Sequence, residues 1–273
     1  MLTIVWLTWK EALLRRAPLI SLLIAALLCV GAFIPLSGRL LLLPPAKAHQ
    51  IYASLYVFFA TDIIKFFASV FGIALASGAI SAEIERGVLS SILPKPITRF
   101  SVYAGKWLGL VLFIAANIVL WDGILWAVAT YRNPEVSHAN IWHALPYLML
   151  YPAVFTTLAL LFSTFAAFPL AAGLSILSAG IGWSEGILYL LNQLFQIALL
   201  EKMSRLAGYI VPLGRMSRWV TEGLGPLPAL RGDLGQRGPF NEINAVPYDL
   251  AFIGLYVVVV FVVGAVIFGR RDV

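Results

Sequence analysis

From Leu250 to Gly269 the chain reads LAFIGLYVVVVFVVGAVIFG, without one charged or amide side chain. A hydrocarbon layer about 30 Å thick is crossed by roughly 20 helical residues. Backbone N–H and C=O groups in lipid must find partners inside the segment, which makes such a run a membrane helix. The same test marks residues 17–36, 55–82, 105–130, 144–165 and 249–268. Residues 167–200 are also apolar, but Pro169, Gly180, Gly182, Glu185 and Gly186 interrupt them, which fits one span plus a short helix or re-entrant piece. The expected fold is an all-α polytopic membrane protein with six transmembrane helices and a broken or re-entrant region after span 5.

Soluble domains carry about a quarter of their residues charged; here the figure is 12%, with 61% hydrophobic and a mean hydropathy of +0.92. A soluble enzyme is excluded. The net charge of +6 comes from basic residues scattered between apolar runs. That is the pattern of anchoring to a lipid bilayer, not of a basic stripe that binds nucleic acid. The single cysteine, Cys29, lies in the first run, so neither a disulfide within the chain nor a cysteine metal site is expected. No repeat or low-complexity linker divides residues 1–273, which read as one transmembrane domain. The first 34 residues imitate a secretory signal but lack a cleavage pattern, so an uncleaved first span is expected. Ahead of it, WLTWKEALLRR sets Trp6, Trp9 and Leu13 on one helical side, as in a helix lying in the membrane interface.

Six spans place both termini on one side. Lys10, Arg15, Arg16, Arg86, Lys95, Arg99, Lys106, Arg270 and Arg271 abut span ends on that side and make it the cytoplasmic one. Lys202, Arg205, Arg215, Arg218, Arg231 and Arg237, in the 201–248 loop, oppose this orientation.

Four ionisable residues within spans mark a possible substrate pathway. Asp62 and Lys65 are three apart on one helical side, near the outer end of the second span, where an interfacial ion pair is the competing reading. Asp122 falls near the middle of the third span, where a charge costs about 2.5–3.5 kcal/mol, so it should face the protein interior or be protonated. Glu185 has similar standing in the interrupted region. His138, His143 and Glu135 share an outer loop, but their spacing does not converge on a metal. Gly105 and Gly109 have the small-xxx-small spacing that lets another helix come close.

The most punctuated stretch is SAEIERGVLSSILPKPITRFSVYAGKWLG, residues 81–109. Glu83 and Glu85 diverge by about 200° on a helix and form no shared ligand pair. Glu83, Arg86 and Ser90 line one side, and Ile80, Ile84, Val88 and Ile92 another, so the second span continues as an amphipathic helix. Pro94 and Pro96 stop it, and Thr98 can cap the helix that follows. This elbow is either an ordinary solvated loop or a docking knob for a soluble partner. The chain has no Gly-x-x-x-x-Gly-Lys-Ser/Thr phosphate loop and no Gly-x-Ser-x-Gly nucleophile turn, so it is not expected to hydrolyse nucleotide by itself.

The elbow resembles the signature region of type-2 ABC transporter permeases, in which a Glu-x-Glu-x-Gly-Thr-Leu-like stretch runs into Leu-x-x-Pro-(Leu/Ile)-x-Arg and then Gly-Lys. The matching positions are Glu83, Glu85, Gly87, Leu89, Leu93, Pro96, Ile97, Arg99, Gly105 and Lys106, with Val88 where threonine is commoner. YIVPLGRMSRW at 209–219 and the terminal FGRRDV extend the likeness. The resemblance implies a non-catalytic permease subunit of a bacterial exporter in the plasma (inner) membrane. It would be a homodimer or pseudo-dimer bound to two copies of an ABC ATP-binding subunit, which holds ATP and magnesium, so that this chain needs no cofactor or metal. The elbow would be the coupling helix between spans 2 and 3, with Glu83, Glu85, Arg86, Gly87, Leu89, Ile92, Leu93, Lys95, Pro96, Arg99 and Lys106 as partner-binding residues. The competing readings are a membrane-embedded enzyme using Asp122, Glu185 and the histidines, and a scaffold or channel component without ATP coupling.

Overall fold

The computed structural model describes residues 1–14, 16–34, 44–85, 98–135, 137–225 and 245–271, and every secondary-structure element among them is a helix. Helices α1 (Leu2–Leu14) and α2 (Ala17–Val30) meet at a bend of 65°. Helix α3 (Pro45–Ala76) opens with proline in its first turn, where no N–H is needed. A turn at 77–80 links it to the short α4 (Ser81–Glu85). Helix α5 (Arg99–Arg132) is capped by Thr98, whose hydroxyl accepts the Ser101 N–H at 3.2 Å. Helices α6 (Asn140–Leu148) and α7 (Leu150–Phe165) together make one apolar unit, and α8 (Phe168–Phe195) follows after two residues. Helices α9 (Ala198–Ile210) and α10 (Leu213–Leu224) precede the last, α11 (Pro247–Arg270).

Helix α7 is central, packed on α3, α8 and α11, while α5 lies against α1, α2 and α3. Polar side chains tie these interfaces. Trp107 Nε1 donates to Thr157 Oγ1 at 2.7 Å between α5 and α7, Trp121 Nε1 to the Ser21 carbonyl at 3.2 Å between α5 and α2. By contrast, α8 and α11 show rows of exposed apolar side chains, Ile176, Leu177, Val258, Val259 and Val262 among them. Lipid covers such faces without cost. Successive reversals gather residues 85, 98, 165–168 and 270 at one end of the bundle, the elbow end. Residues 31–34, 133–139, 196–225 and 247 gather at the other, the cap end.

Five helical units are long and apolar enough to cross a membrane, or six if the bent α1–α2 pair counts as one span. The first span is thus shorter than the expected 17–36: α2 has 14 residues, and the turn after it packs Gly31 where a Cβ would lie 2.0 Å from the Tyr56 ring. The expected interruption in 167–200 also moves. Pro169 sits in the first turn of α8, and Gly180 and Gly182 stay helical. The helix ends at Gln196, in the left-handed region at φ 52°, after which the α9–α10 pair folds back, α9 on α8 and α10 on α6. The opening helix is not simply laid on a surface: Trp9 turns inward to meet Phe113 edge-on at 6.0 Å, while Trp6 stays exposed. The neighbour that Gly105 and Gly109 admit is α1, with Ile4 and Thr8 seated on them.

A Cβ at Gly109 would lie 2.9 Å from Thr8 Cβ and 3.0 Å from the Val5 carbonyl oxygen. Gly109→Leu should therefore lift α1 off α5 and cost about 1–3 kcal/mol. The expected readout is an earlier SDS-unfolding midpoint together with faster proteolysis at residues 1–16.

Candidate functional site

At the elbow end, the two arms of the elbow are fixed at their roots. The turn at 77–80 frees the N–H groups of Ile80 and Ser81, and Ser163 Oγ on α7 accepts both, at 3.1 and 3.0 Å. Glu83 Oε1 pairs with Lys106 Nζ at 2.5 Å, binding α4 to the first turns of α5. The Lys106 side chain is only 6% exposed, so this is a largely desolvated ion pair whose partners depend on each other. Glu85 Oε1 accepts the Phe168 N–H at 3.4 Å, at the start of α8. Arg99 donates to the Gly269 carbonyl at 3.4 Å and to that of Arg271, and Arg271 donates to the Thr164 carbonyl. Carboxylate meets a helix start and guanidinium meets helix ends, the signs that helix dipoles favour.

At the cap end, α3, α7, α8, α9 and α10 line an open cavity of about 430 Å³. Lys65 bonds Asp62 at 2.9 Å and Ser217 Oγ at 3.3 Å, joining α3 to α10. Arg218 gives Nε and Nη2 to Asp249 Oδ2 at 3.2 and 3.0 Å, and Arg215 reaches the other oxygen at 3.5 Å while its guanidinium lies over Phe252 at 3.7 Å. Glu185 Oε2 accepts the Gly214 N–H at 2.9 Å, in the first turn of α10, and Ser204 Oγ donates to the Glu185 backbone carbonyl at 3.0 Å. One wall is aromatic, with Phe66 and Trp183 stacked at 5.2 Å and 23°.

The family model described as ABC-2 family transporter protein matches residues 2–273. The chain belongs to the ABC-2 transporter family. A search of curated proteins finds no match to the sequence. It is therefore a multi-pass integral membrane protein, the permease component of an ABC transport system, and this family implies an ATP-binding partner.

In this ABC-2 permease, Asp62, Lys65 and Glu185 line one cavity, although Glu185 is more than a hundred residues from the other two in sequence. Asp122 does not line it: it is buried at 1% exposure on α5, with no hydrogen-bond partner for Oδ2 among the described residues. His138 and His143 are likewise absent from the cavity lining, so the convergence that a membrane-embedded enzyme would require is not formed by these residues. Of the expected elbow contacts, Arg86, Gly87, Leu89, Ile92, Leu93, Lys95 and Pro96 lie outside the described residues. Lys106, expected among the partner contacts, is largely buried and paired with Glu83. Sequence reasoning missed Arg215, Arg218 and Asp249 as a cluster; the basic residues were weighed only as topology signals, and Asp249 only as a span end.

Removing one member of a buried pair strands the other charge, whereas replacing both is close to neutral. Glu83→Leu should lower unfolding stability by about 3 kcal/mol, and Glu83→Leu with Lys106→Met should recover most of that loss. A double-mutant cycle in SDS or thermal unfolding checks it.

Proposed function

We propose that the chain is the membrane-spanning half of an ATP-driven exporter, and that the elbow between α4 and α5 carries the motion of a separate ATP-binding subunit into the membrane. The observation that carries this reading is the fixing of both elbow arms. The segments that flank residues 86–97 are anchored, α4 by the Ser163 and Glu83 contacts and α5 by Lys106, so that a partner docked between them acts on both helices. Helix α4 continues α3, whose middle holds Asp62 and Lys65 against α10, so one element joins the elbow to the cap cavity. Glu85 and Arg99 are partly satisfied within the chain and stand at the exposed rim of the elbow, where the family pattern places partner contacts.

The orientation with both termini in the cytoplasm is supported by the state of the opposing basic residues. Arg215 and Arg218 are held by Asp249, and Arg205 by Glu201 at 2.5 Å. Arg215 and Arg218 are parts of a folded cap instead of free flanking charges of the kind that set orientation, and Arg205 forms an exposed surface pair. The chain acts as a homodimer on two ATP-binding subunits in a bacterial inner membrane, with ATP and magnesium held by the partner. Asp62, Lys65 and Glu185 lie on the substrate route.

The test is co-expression with the ATP-binding protein encoded beside this chain. Wild type should co-purify as a complex with ATPase activity. Glu85→Lys and Arg99→Glu, which reverse charges at the helix ends they serve, should reduce that activity at least fivefold while each variant chain still folds by size exclusion. Absence of any complex with the intact elbow and a folded partner would sink the reading.

A further inference from the structure

The ionisable groups of the cap cavity are unequally satisfied. Lys65 is held by Asp62 and Ser217, and Arg218 by Asp249. Glu185 has one oxygen, Oε2, on the Gly214 N–H, while Oε1 receives no hydrogen bond among the described residues. Oε1 rests instead against glycine backbone: a Cβ at Gly208 would lie 2.7 Å from it and one at Gly214 2.6 Å. Two glycines thus make room for a carboxylate at the edge of a mainly apolar cavity, where an unmet charged oxygen is costly. Around it stand the stacked Phe66 and Trp183 with Tyr151 and Tyr189, faces that attract ammonium groups as well as apolar bodies. The volume, about 430 Å³, lies within the range of small-molecule sites.

We propose that this cavity binds an amphipathic amine, its ammonium donating to Glu185 Oε1 and its apolar body lying against Phe66 and Trp183. The lining cations do not favour an anion instead, because each already has a carboxylate partner, whereas Glu185 has no cationic one within bonding distance. Taking the amine as cargo rests on the transport reading above; the binding itself does not. Binding is measured on the chain without its ATP-binding partner, so a negative result leaves the transport reading standing, and a failed complex leaves the binding result standing.

Three probes of one shape separate the contributions: 4-phenylbutylamine, its N-acetyl derivative, and 4-phenylbutanoate, titrated against detergent-solubilised protein by thermophoresis. The amine should bind at least tenfold more tightly than either of the others. Glu185→Gln keeps an acceptor for Gly214 and removes the charge, and it should shrink that preference to within twofold. Trp183→Ala should weaken amine and amide alike. Equal binding of amine and amide would overturn the proposal by reducing the cavity to an apolar hole. Tightest binding of the carboxylate would overturn it in favour of an anion held by Lys65 and Arg218. An unchanged preference in Glu185→Gln would also overturn it. Should that variant fail to fold by thermal unfolding, the wild-type ratio of amine to amide decides alone.

Discussion

A helix that stops in or beside lipid leaves backbone donors or acceptors that water cannot reach, and each must be given a partner. This chain stops its helices often, and the stops organise its architecture. Ser163 takes the N–H groups freed by the turn before α4; Tyr56 caps a carbonyl near the end of α2 at 2.8 Å; Tyr256 does so for α9 at 2.7 Å; Asn140 does so for α10 at 3.1 Å. Where charged groups are used, the signs follow the helix dipole. Glu85 and Glu185 sit at the starts of α8 and α10, and Arg99 and Arg271 at the ends of α11 and α7. Of the residues that sequence inspection marks as candidate chemistry, Glu85, Arg99 and Glu185 are also solutions to this accounting.

The double use bears on function. The permease of an ABC system moves between states, and contacts that complete helix ends are strong when made and costly when broken, which favours discrete states over graded ones. The elbow end concentrates such contacts at the roots of both arms, and the cap end concentrates them around the cavity. Helix α3 and its continuation α4 join the two.

Much of the fold was legible because lipid imposes a simple rule of run length, and four of the apolar runs correspond to helical units with boundaries that differ mainly where polar ends extend them: Lys47, Arg99, Asn140 and Arg270 lie beyond what hydropathy includes. Less legible were the features that depend on neighbours. The glycines of α8 read as breaks because propensity treats glycine by itself, whereas Gly182 is where Val211 packs, with a Cβ there 3.1 Å from its side chain. At the sites, Asp62 with Lys65 could be read from a three-residue spacing, and Thr98 as a cap from the prolines before it. Glu185 joining them could not, since no local pattern reports that α9 and α10 fold back over α8. The pairing of Glu83 with Lys106 was hidden for a related reason: the two residues are 23 apart in sequence, on either side of the elbow, and no local pattern reports that α4 packs on α5.

The glycine cradle around Glu185 carries a consequence for how such a sequence can drift. Gly208 and Gly214 lie on different helices, and neither has a conformational need for glycine, as both lie within helices α9 and α10. Their only demand is space for one carboxylate. The three positions therefore form a unit of variation: a lineage that replaces Glu185 by a smaller residue is released to put alanine or serine at 208 and 214, and one that keeps the carboxylate is not.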